Sequence, residues 1–192
     1  MELGRIAAVT RNYEALQGLK LMPSALPVAV AGLGTLGVGD LTGTRGLVAF
    51  LASSAVAVAL TVWLGRWYER HYGKVQPTKP QRRAWCAWFA AGLGAIAIGA
   101  LLDWWLSPPV LLFGIAGAGV LAIYWRALVG FRLHHALAVT ALVVASCLQL
   151  FGVAGETAFG ITMLTYAAVY VCVGYLDHRG LKSILPPVQG AA

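Results

Sequence analysis

Four histidines, His71, His134, His135 and His178, are the residues in this sequence best equipped for chemistry. Imidazole titrates near neutrality and is a common ligand for transition metals, so histidines gathered at one level of a bundle can serve a metal or a haem iron. Their spacing favours a plainer role. None forms the i, i+4 pair of a helical zinc site, the neighbours His134 and His135 project about 100° apart on a helix, and bis-histidine haem ligation needs facing helices. All four fall at the ends of apolar segments, where histidine is an ordinary interfacial residue. The expectation is therefore no metal and no cofactor. Cys86, Cys147 and Cys172 lie 61 and 25 residues apart and form no C-x-x-C pair, so they read as small apolar residues within the spans.

The acids Asp40, Asp103 and Glu156 fall at the opposite ends of the apolar segments. Asp103 is followed by Trp104 and Trp105, and convergence of these groups would make a pocket for a cation, through carboxylate attraction and ring faces. Thr162, Thr165 and Tyr166 share one helical face, with Gln149 at the end of the preceding span. Such a set can hold the polar group of an otherwise apolar ligand. Interfacial anchoring is the favoured account of the acids, and interhelical hydrogen bonding explains the hydroxyls equally well. The candidate ligand residues are thus Asp103, Trp104, Trp105, Gln149, Glu156, Thr162, Thr165 and Tyr166. No phosphate-binding loop, nucleophile elbow or carboxylate cluster is present, so no catalytic residue is assigned and an enzyme is not expected.

The elements that must position these residues follow from composition. Of 192 residues, 59% are hydrophobic and 11% charged, where soluble domains carry roughly 25% charged residues; mean hydropathy is +0.76. Residues 46–63 and 84–102 contain no Asp, Glu, Lys or Arg. A bilayer core about 30 Å thick needs about 20 apolar residues at 1.5 Å each. The predicted fold is an all-α membrane protein forming one polytopic domain over 1–192, with six spans near 21–39, 46–64, 84–102, 109–125, 136–155 and 157–175. Leu3, Ile6, Val9, Tyr13, Leu16 and Leu19 fall near helical spacing, which predicts an amphipathic interfacial helix over residues 1–20. Residues 183–192 read as a flexible tail. Small residues recur every four positions, at Ala91, Ala95 and Gly99 and at Gly114, Ala118 and Ala122, as close helix packing in lipid requires.

Counted by side, 13 of the 14 basic residues fall with the N-terminus, the second and fourth connections and the tail, and only Arg45 falls opposite. The positive-inside rule then places both termini in the cytoplasm. Arg66, Arg70, Lys74, Lys79, Arg82 and Arg83 concentrate in the connection 65–83, where Pro77 and Pro80 predict an extended linker. Such a loop suits anionic lipid head groups or an acidic cytoplasmic protein. The +7 net charge is accounted for without nucleic acid, and a homo-oligomer remains open.

Four stretches, residues 12–19 (NYEALQGL), 67–77 (WYERHYGKVQP), 107–114 (SPPVLLFG) and 175–181 (YLDHRGL), together resemble a group of uncharacterised bacterial membrane proteins loosely associated with winged-helix regulators. The resemblance implies an inner-membrane setting and a regulatory or sensing role, and transfers no functional residues. The expected function is a non-enzymatic sensor or binding subunit for an apolar or amphipathic ligand or a cytoplasmic partner. A small-molecule transporter subunit is the rival, and a histidine-dependent metal or haem enzyme a third class.

Overall fold

A computed structural model describes residues 17–72 and 79–184. Among the described residues the chain is helical, without strands. Two 3-10 turns, Gly18–Lys20 and Met22–Ser24, lead into α1 (Ala25–Thr35); α2 (Gly43–Tyr72), α3 (Lys79–Leu106), α4 (Leu112–Tyr124), α5 (Leu133–Ser146) and α6 (Gly155–Ile184) follow. α4 ends in a π turn, Trp125–Val129.

Helix length separates these elements into two sets. The segments Gly43–Tyr72, Cys86–Leu106 and Gly155–Ser183 are long and apolar enough to cross a membrane, whereas Leu112–Ala127 and Leu133–Ser146 are shorter apolar helices. α1 has 11 residues, a rise of only about 17 Å. It stops early because Gly37 and Gly39 adopt left-handed backbone, with φ of 70° and 72°, a conformation open to glycine at little cost.

The two longest helices outrun their expected limits. α2 and α6 each have 30 residues, about 45 Å of helix against a core of about 30 Å. The basic connection is correspondingly shorter than the linker expected over 65–83. Residues 65–72 continue α2, because the aromatic side chains there find partners on α6. α3 already begins at Lys79, with Pro80 in its first turn, where a missing amide donor costs little. The interfacial helix expected over 1–20 is also revised where it is described. Gln17 and Gly18 are buried, since the glycine lets this turn seat directly on α6. Residues 1–16, and 185–192 of the expected tail, lie outside the described residues.

The helices pack in series: α2 on α1, α1 on α6, α6 on α5, α5 on α4 and α4 on α3. α2 and α3 thus sit at the two ends, with 6% and 11% of their apolar windows buried against 39% for α6. Small residues set the interfaces. A Cβ on Gly32 of α1 would stand 2.9 Å from the carbonyl oxygen of Gly160 in α6, and one on Gly99 of α3 would stand 2.8 Å from the backbone of Phe113 in α4. Gly114 and Ala118, from the small-residue stripe of α4, are both buried. Tyr68, Trp125, Leu142, Val173 and Leu181 form the centre of the larger core cluster, near the end of the bundle that carries the histidines.

Candidate functional site

At that end the C-terminal turns of α2, α4 and α6 meet the N-terminus of α5 and the Gly18–Lys20 turn. Two consecutive residues of α6 face different neighbours, as the 100° step of a helix dictates. Asp177 turns towards α5. Its Oδ1 lies 3.1 Å from His134 Nε2 and 3.2 Å from His135 Nε2, and its Oδ2 lies 3.3 Å from His135 Nε2. An ionised carboxylate only accepts, so both imidazoles donate through Nε2. His135 is locked further: the backbone N–H of Arg132 donates to its Nδ1 at 3.1 Å, and Trp125 stacks on its ring at 4.7 Å and 15°.

His178 turns towards α2 instead, and its Nδ1 lies 2.7 Å from the Tyr68 hydroxyl. The N–H of Leu19 donates to that oxygen at 3.4 Å. Tyr68 is fully buried, which makes this bond a strong determinant of where α2 ends against α6. His71 stands apart. Its Nδ1 donates to the Trp67 carbonyl at 2.9 Å and its ring stacks on Trp67.

The residues expected at the opposite end divide among several roles. Asp103 caps α4: its Oδ1 accepts the Leu112 N–H at 2.7 Å and its Oδ2 accepts the Phe113 N–H at 2.9 Å. Both oxygens satisfy amides that a helix start leaves without partners, and the charge faces the positive end of the helix dipole. Asp103→Ala is therefore expected to destabilise the chain by about 1–2 kcal/mol, read as lower thermal stability in detergent micelles. Trp104 and Trp105 are each 85% exposed and point away from the bundle, so the structure does not bring them together with the carboxylate.

Thr162 and Tyr166 do come together, where α4, α5 and α6 meet. Thr162 Oγ1 donates to the Ala145 carbonyl at 3.0 Å and the Tyr166 hydroxyl to the Gly114 carbonyl at 2.6 Å. Thr165 bonds back to Ile161 in its own helix. Gln149 lies in the 3-10 turn before α6, beside Gly155, and Glu156 is exposed in the first turn of α6. Among the basic set, Arg66, Arg70 and Arg83 are exposed. Lys79 and Arg82 fall in the first turn of α3, and Lys74 lies outside the described residues.

A groove of about 410 Å³ lies between α1, α2 and α6, outward of the Tyr68–His178 pair along the helices. Pro27, Val28, Ala57 and Val58 supply apolar walls, and the hydroxyl-bearing residues Ser24, Ser54, Thr61 and Tyr170 complete the lining. Ser54 bonds to the Phe50 carbonyl. The hydroxyls of Ser24, Thr61 and Tyr170 have no hydrogen-bond partner among the described residues. In the sequence Tyr170 is one more polar residue in an apolar run, and the gap beside it depends on which helices touch.

Comparison with protein-family models, curated proteins and solved structures finds no match to this chain.

Proposed function

We propose that this chain is a multi-pass protein of the bacterial inner membrane that binds an amphipathic, lipid-like molecule and acts as a sensor or binding subunit. The observation that carries the reading is the groove between α1, α2 and α6. Its volume falls within the usual range for small-molecule sites, and a few hydroxyls set in apolar walls match the way such sites fix a polar group on an apolar ligand. Val58 and Val62 on its rim are exposed along α2, so a ligand would reach it sideways from the acyl chains. The distribution of basic residues supports a topology with both termini cytoplasmic. In that topology the short helices α1, α4 and α5, lengthened by their flanking 3-10 and π turns, complete six crossings.

The test is native mass spectrometry of the full chain released from membrane nanodiscs, with a photoreactive fatty acid as the probe. A retained amphiphile and crosslinks on α2 or α6 are expected. Ala57→Phe, which fills the groove, should reduce crosslinking at least tenfold. Tyr170→Phe should weaken binding roughly fivefold, the equivalent of one hydrogen bond worth about 1 kcal/mol. Equal labelling of wild type and Ala57→Phe would overturn the reading.

A further inference from the structure

We infer that His134, His135 and Asp177 form a binding site for a late first-row divalent cation, of which zinc is the best fit. Each of the three residues offers one donor atom, and these atoms lie within 4.8 Å of one another. Two imidazoles and a carboxylate are a donor set suited to zinc, with a fourth position left for water. The separations between carboxylate and imidazoles suit it as well. Ligands about 2.0–2.1 Å from a tetrahedral ion stand roughly 3.3 Å apart, and the Asp177 oxygens lie 3.1 Å, 3.2 Å and 3.3 Å from the two Nε2 atoms.

The surroundings hold the donors and leave a way in. The His135 and Asp177 side chains are 0% and 4% exposed, and that of His134 is 22% exposed, which opens the cluster on one side. The stacking of Trp125 fixes the plane of the His135 ring. The charged groups nearby are Arg132, whose guanidinium packs beside Gly180, and the exposed Arg179 and Lys182. His178 is turned away to Tyr68. Asp177 is therefore the anionic ligand, and the adjacent cations moderate the affinity.

Metal and hydrogen bonds compete for the same atoms, which gives the site a signature. In the metal-free chain each Nε2–H donates to Asp177. Coordination at Nε2 of a neutral imidazole shifts its proton to Nδ1, with no net loss, while a proton carried by a histidinium passes to solvent. For His135 the shifted proton would face the N–H of Arg132, which now donates to that nitrogen. Cation binding thus releases the Arg132 amide from its acceptor.

The experiment uses the tag-free full chain in micelles, stripped with chelator and titrated with Co(II), followed by displacement with Zn(II). One Co(II) per chain with the visible absorption of a four-coordinate ion is expected, together with a shifted and faster-exchanging Arg132 amide. His134→Ala should weaken Co(II) at least tenfold while thermal unfolding of the metal-free chain shows it folded. Asp177→Asn, where folded, should do the same, and His71→Ala should bind as the wild type does. No stoichiometric Co(II), equal affinity in folded His134→Ala, or an unmoved Arg132 amide at saturation would overturn the inference.

Discussion

Asp177→Ala is expected to cost the folded chain about 3 kcal/mol, among the largest effects of any side-chain truncation in the molecule. The carboxylate is buried and accepts from two imidazoles on α5. Removing it leaves two Nε2–H donors facing a cavity, one of them on the fully buried His135. A buried donor without a partner costs about 1–3 kcal/mol, and two donors lose theirs here. Average interhelical hydrogen bonds in membranes are worth only about 0.6 kcal/mol. The larger figure applies here because His135 is pinned on its other side by the Arg132 amide and Trp125, so it cannot turn to find a substitute. Denaturant or thermal unfolding followed by tryptophan fluorescence provides the measurement, with Trp125 as a local reporter. A loss below about 1 kcal/mol would mean that the two histidines find other acceptors.

Gly174→Leu should cost about 3 kcal/mol or more, and for a different reason. A Cβ at this position would lie 2.6 Å from the Gly18 carbonyl oxygen and 2.8 Å from Met22 Cγ. The nearer obstacle is backbone, which has no rotamer to move into. Relief requires the Gly18–Lys20 turn to lift from α6, taking Gln17 and Leu19 with it. Overpacking typically costs about 1–3 kcal/mol and more where the backbone must shift. Gly119→Leu is the matched control, because a Cβ there meets nothing within 4 Å and leucine favours a helix over glycine by up to about 1 kcal/mol. The control should be neutral or stabilising. Tryptic cleavage after Lys20 should become fast in Gly174→Leu alone.

Both predictions depend on contacts whose helices, but not whose partners, are legible in the sequence. The runs free of charge at 46–63 and 84–102 announce α2 and α3, and the small-residue stripes mark Gly99 and Gly114 as packing positions. Periodicity says which residues share a helix face; it does not say which neighbour that face meets. The sequence places His134 and His135 at a helix end and shows their Cβ vectors diverging. What it lacks is the position of Asp177, which accepts from both because their side chains bend towards one carboxylate, with ring centroids only 4.1 Å apart. Asp103 shows the same limit. Its place beside two tryptophans suggests a shared pocket, yet the amides it caps are nine and ten residues onward, beyond a proline pair that redirects the chain. The length of α2 was the other hidden quantity, since its last two turns are polar by composition and helical through packing on α6.

The serial order of packing also bears on how the chain is made. α1 finds its main partner in α6, and 119 residues lie between Thr35 and Gly155. At a synthesis rate of about 5–20 residues per second, roughly ten seconds separate the appearance of the two helices. During that interval Gly32 and the turn carrying Gln17 have no α6 surface to meet, and α2 has only α1 to lean on. Assembly is therefore closed backwards along the sequence: α6 gathers α1, and every nascent chain passes through a stage in which α1 and α2 wait for a partner not yet translated.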